Sequence, residues 1–121
     1  MSDPLGAFES AAIDAAAAET DLDPDALRAL IRRQQQLIRE FPDMTVEALV
    51  HDWRKTFPED PLVGTDTTGY YLSVRPHVWS DVVSRLDLTA EEREALALVN
   101  ANQFERWRGE PADGTAIVLT R

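Results

Sequence analysis

Apolar residues recur at helical spacing in five stretches of this chain and give way to β-rich runs in two. Residues 5–19 read as an Ala-rich helix with Leu5, Phe8, Ala12 and Ala16 on one side. That apolar side is thin, so the helix needs a partner or frays. Asp23 is a good N-cap, Pro24 suits the first helical position, and Asp25 places negative charge in the first turn. A second helix therefore spans 24–40, and Pro42 ends it near Glu40–Phe41. Thr45 caps a third helix, Val46 to Phe57, whose Val46, Leu49, Val50, Trp53 and Phe57 share one stripe. Pro76 opens a fourth, with Val78, Trp79, Val82, Val83 and Leu86 on its apolar face. Thr89 and Glu92 have the spacing of a capping box, starting a fifth helix, Ala90 to Arg108, that stops at Gly109.

The strands are Tyr70–Val74 and Thr115–Thr120, both rich in aromatic or β-branched residues. Leu62–Val63 could pair back as a short hairpin arm, with Gly64 and Gly69 near the turn. The predicted fold is α+β, mostly α: about five helices with a small two- or three-stranded sheet, in the order ααα-β-αα-β. Such a sheet needs helices over a face to persist, and the two intervening helices permit either strand direction. Residues 1–121 read as a single globular domain, with 1–20 open to being a loosely attached N-terminal helix.

The polar residues inside this pattern are the informative ones. In LRALIRRQQQLIRE, residues 27–40, a helical projection puts Leu27, Leu30, Ile31, Leu37 and Ile38 on one continuous face with Phe41. Gln34 lies in the middle of that face; if buried, it requires hydrogen-bond partners across the core. Arg28, Arg32, Gln35 and Arg39 follow i, i+4, i+7, i+11 and form a stripe beside it. Arginine forks of this kind suit an acidic protein surface or phosphates, or pair with the chain's own carboxylates. On the fifth helix Asn100, Gln103 and Trp107, at i, i+3, i+7, form a second strip, facing either a partner or the chain's own interior.

Charge narrows the partners. The chain carries 22 acids against 12 bases, a net charge of −10, and every base except Lys55 is arginine. That balance favours solubility and disfavours non-specific nucleic-acid binding. An acidic, lysine-poor surface suits concentrated salt, although a GC-rich genome would also raise Arg over Lys. There is no cysteine, which excludes disulfides and thiolate chemistry and leaves the redox compartment open. No apolar run approaches the ~18 residues of a membrane span. The acidic N-terminal segment lacks the basic start of a signal peptide.

Catalytic motifs are missing. There is no GxSxG, and GTDTTG, residues 64–69, lacks the lysine and following helix of a phosphate loop. His51 and His77 belong to different elements and show no metal-ligand spacing. No metal and no cofactor is expected. A helix-turn-helix over 24–40 and 45–57 would read DNA with Arg54 and Lys55, but Glu47 and Asp52 sit where base readout normally occurs.

LDPDALRALIRRQQ, RPHVWSDVVSRLDLTAEEREAL, NQFERW and TAIVLT together resemble small uncharacterised haloarchaeal proteins of unknown function. The resemblance spans about Leu22–Gln36 and Arg75–Leu119 and implies a halophilic, cytoplasmic protein without implying an activity. The expectation is a non-enzymatic cytoplasmic protein-interaction module. Its partner would be another protein or a second copy, bound through Arg28, Arg32, Gln35, Arg39, Asn100, Gln103 and Trp107. The alternative is a nucleic-acid-associated regulator using Arg54 and Lys55. An enzyme built on His51 or His77 is the third reading.

Overall fold

The structure, a computed structural model, describes residues 5–40 and 45–121. Helices α1 (Ser10–Thr20), α2 (Pro24–Arg39) and α3 (Val46–Thr56) precede a hairpin of β1 (Leu62–Thr65) and β2 (Gly69–Val74). Helices α4 (Pro76–Ser84) and α5 (Ala90–Arg108) follow, and β3 (Thr115–Thr120) closes the order ααα-ββ-αα-β. The fold is α+β and mostly helical, as the pattern predicts, and the Leu62–Val63 arm is a full third strand. The sheet order is β1-β2-β3, antiparallel throughout, with Gly69 opposite Thr120 and Val74 opposite Thr115.

The local signals act as their chemistry requires. Asp23 accepts the Asp25 amide at 2.8 Å, and Thr45 accepts the Ala48 amide at 3.0 Å. Thr89 and Glu92 exchange both bonds of the capping box. Gly109 stops α5 in the left-handed region, φ 86°. The expected end of α2 at Pro42 falls outside the described residues; within them α2 runs to Arg39, with Glu40 as its cap.

Two boundaries differ from expectation. Helix α1 begins at Ser10, not at residue 5, so Phe8 buries itself ahead of the helix. Helix α3 ends at Thr56, with Phe57 already extended ahead of Pro58. The thin apolar side of α1 finds its partner in α5, with α2 also alongside. Ala12, Ile13, Ala16 and Ala17 are all buried, because small side chains let the helix axes approach closely.

Side chains alternate across the sheet. Tyr71 lies flat on Trp107 of α5, with centroids 4.1 Å apart, so α5 covers that face. The other face carries Tyr70, Leu72, Val74, Ile117 and Leu119, all buried. Residues of α3 flank Leu62 and Tyr70, and Val78 of α4 lies near Val74. Helix α2 reaches the outer edge of β3 through Gln35.

Candidate functional site

The amides of Gln34, Gln35 and Asn100 meet at the edge of β3. Val118 and Thr120 direct their backbone groups away from β2, where a further strand would normally pair. Gln35 takes that strand's place: its Nε2 donates to the Val118 carbonyl at 2.9 Å, and its Oε1 accepts the Thr120 amide at 2.8 Å. The Val118 amide donates to Asn100 Oδ1 at 2.9 Å. Asn100 and Gln34 bond reciprocally, and Asn100 also donates to the Leu96 carbonyl at 2.8 Å. Gln103 accepts the Glu9 amide at 2.7 Å. Among the described residues no buried side-chain polar atom lacks a partner. Gln34 therefore meets the requirement its position imposes.

This geometry places the residues of the two strips read from the sequence. Gln35, Asn100 and Gln103 are 1%, 0% and 3% exposed, so none presents itself to a partner in this fold. Trp107 is half-buried, stacked on Tyr71 and edge-on to Phe104 at 5.8 Å. Asn100 faces β3 and Trp107 faces β2, whereas Gln103 bonds Glu9 in the lead-in to α1.

The arginines are also largely engaged. Arg28 bonds Asp25 at 3.0 Å and lies 3.8 Å from Asp14. Arg39 donates to the Arg121 carbonyl at 3.3 Å, and Arg33, outside the stripe, donates to the Leu86 carbonyl. Arg32 is exposed and makes no ion pair among the described residues. Of the two candidate DNA contacts, Arg54 grips both oxygens of Asp60 at 2.8–3.1 Å, whereas Lys55 is exposed. The Asp60 pair raises Arg54 above its ordinary value, and the Arg54 hydrogen bonds hold Asp60 below its own despite partial desolvation.

A polar hub closes the β1–β2 turn. Asp66 accepts from the Thr68 amide and hydroxyl, the Gly69 amide and the Tyr71 hydroxyl. Burial alone would raise its carboxyl, but the hydrogen bonds together outweigh this and hold it below the usual value. Burial pushes the Tyr71 phenol up, and the nearby Asp66 carboxylate adds to this. Arg121 lies over the Tyr70 ring at 4.5 Å and donates to Thr65 Oγ1 and the Asp66 carbonyl. Every group here answers another within the fold, so the hub fixes the hairpin.

Among the hollows of the fold, one is a groove between the end of α3 and the start of α4. Its larger hollow, about 410 Å³, lies among Phe57, Val63, Val74 and Val78, with Glu59, Asp113, Arg75 and His77 also lining it. A second hollow of about 240 Å³ continues past Phe57, His77 and Val78 toward Leu37, Trp53 and Val82. Trp53 and Phe57 are half-buried, their rings tilted at 6.0 Å, and Val63 is 39% exposed. The apolar residues come from α2, α3 and its C-cap, β1, β2 and α4, so no single helical stripe reveals the groove. Its sequence signal is the PEDP connection, residues 58–61, which ends α3 and turns the chain into β1.

His77 lines this groove, while His51 is exposed beside a separate hollow with Glu47 and Tyr70. Among the described residues no group of three or more His, Asp or Glu is placed to hold a metal. None of the described helices is long and apolar enough to cross a membrane.

Fold and site thus define a small α+β protein whose sheet is covered on both faces, closed at one edge by side-chain amides and flanked by an open groove. The chain belongs to the family described as Domain of unknown function (DUF8048), which it matches over residues 6–120. That span takes in the lead-in to α1, the amide cluster, the groove and the whole of β3. No curated protein and no solved structure matches the chain.

Proposed function

We propose that this protein is a non-enzymatic, cytoplasmic protein-interaction module of a salt-accumulating archaeon, and that it takes its partner in the groove between α3 and α4. The groove carries the proposal. The partly exposed Leu37, Trp53, Phe57 and Val63 lie along it, and its charged rim stands beside hollows of ligand-pocket size. Recognition grooves for partner helices or extended segments have this composition. The acidic, arginine-for-lysine surface and the haloarchaeal resemblance support the cellular setting. Arg32 remains a secondary contact on α2. The nucleic-acid reading is weaker, because Arg54 is committed to Asp60 and the chain as a whole carries a net charge of −10.

The test is purification of the tagged protein from its own cells in molar KCl, with and without nuclease. Wild type is compared with Val63→Asp, at the exposed lip of the groove, and with Arg32→Gln. A stoichiometric protein partner that resists nuclease, is lost with Val63→Asp and is kept with Arg32→Gln supports the groove. The reverse pattern moves the contact to α2. Association that disappears with nuclease replaces this proposal with the regulator reading.

A further inference from the structure

The charges around the groove are unequally satisfied, and this bears on what the groove takes. Its lining includes Glu59, Asp60 and Asp113 around the larger hollow and Asp81 beside the smaller one. Asp60 is neutralised by Arg54 at 2.8 Å. The Glu59, Asp81 and Asp113 carboxylates are exposed and form no ion pair among the described residues. Arg75 and Arg85 supply the opposing positive charge. Carboxylates without a countercharge therefore outnumber the cations of the groove, within a chain of net charge −10. An acidic segment, or a second copy of the same acidic chain, would enter against this field.

Resting on the groove reading, we infer that the partner presents an arginine-bearing amphipathic segment. Its apolar side chains enter the two hollows, and its guanidinium groups pair with Glu59, Asp81 and Asp113. Arginine is specified over a generic cation for a physical reason. At about 1 M salt the screening length is only ~3 Å, so charges discriminate between partners only in direct contact. The guanidinium fork pairs with a carboxylate through two bonds and gives up its hydration more readily than an ammonium group does.

The test uses the full chain and two synthetic peptides of about four helical turns, with leucines at i, i+3, i+4 and i+7. One carries arginine at the remaining positions and the other glutamate. Binding is followed through backbone amide shifts and Trp53 fluorescence at about 0.15 M and about 2 M KCl. The expected result is saturable binding of the arginine peptide, with shifts concentrated at Phe57, Val63, His77 and Val78. The glutamate peptide should leave those resonances in place. Combining Glu59→Gln, Asp81→Asn and Asp113→Asn, all at exposed positions, should weaken the arginine peptide about tenfold or more, in line with the loss of direct charge pairs.

Equal occupancy of the groove by both peptides, or indifference to the triple substitution, overturns the arginine requirement while leaving the groove reading intact. Shifts scattered over the surface and abolished by salt also overturn it, as non-specific attraction. Concentration-dependent changes at the groove without any peptide assign it to a second copy and overturn it too. Failure of the groove reading itself shows separately, as native association untouched by Val63→Asp.

Discussion

Gln35 shows how much a single amide holds in this protein. A glutamine on the flank of an amphipathic helix normally meets water, but here both its polar atoms pair with backbone groups of β3. Gln35→Ala leaves the Val118 carbonyl and the Thr120 amide without partners in a dry site. The expected loss is about 2–5 kcal/mol, from the usual cost of each unsatisfied group plus the vacated volume. Urea melts give the loss, and faster hydrogen exchange at Thr120 locates it; an unchanged midpoint would contradict the assignment. Asp66 has a pH-dependent role. Its folded carboxyl titrates below the ordinary 3.8, so the ionised form is favoured by folding. Its contribution is complete above that ordinary value and is lost as pH falls through the lower folded value. The stability gap between wild type and Asp66→Asn should therefore be widest near neutrality and should narrow below about pH 4, as measured by paired melts across the acid range.

At the scale of elements, the close seat of α5 on the sheet depends on what β1 omits. A Cβ on Gly64 would stand 2.5 Å from the Trp107 ring, which is itself sandwiched against Tyr71. Gly64→Ala should cost about 1–3 kcal/mol, as overpacking does in tight interiors. It should also change the near-ultraviolet signal of the Tyr71–Trp107 stack, and a silent substitution would mean that α5 moves freely over the sheet. Element identity was largely legible in the sequence, because caps and stops act locally: Asp23, Thr45, Thr89 and Gly109 serve as their chemistry dictates. Partnership between elements was less legible. The strip of Asn100, Gln103 and Trp107 fits either an interface or an interior by spacing alone, and only the positions of β3, Glu9 and Tyr71 decide between them. The lead-in Leu5–Phe8 continues the periodicity of α1 without being helical: a turn, with the Phe8 amide on the Leu5 carbonyl at 2.8 Å, buries Phe8 ahead of the helix.

For the whole molecule, the surplus of acids becomes a stability term. A net charge of −10 on 121 residues repels itself, and the ion pairs of Arg28, Arg54 and Arg106 neutralise only a few carboxylates. Raising KCl from about 0.1 M to about 2 M shortens the screening length from ~10 Å to a few Å. The melting temperature should rise by several degrees or more, on the order of 1–2 kcal/mol for a chain of this size. A melting temperature flat in salt would remove the halophilic reading. The sequence by itself determined the helices, their caps, the strands and the acidic character, since each follows from neighbours within a few positions or from composition alone. It also marked Gln34 as a residue needing partners. Only the tertiary structure decided that Gln35 and Asn100 close a sheet edge, that Gln103 ties down the lead-in to α1, that Arg28 and Arg39 bond within their own chain, and that a groove lies between α3 and α4. Those outcomes depend on pairing residues tens of positions apart, and spacing along one helix carries no information about what another element brings to face it.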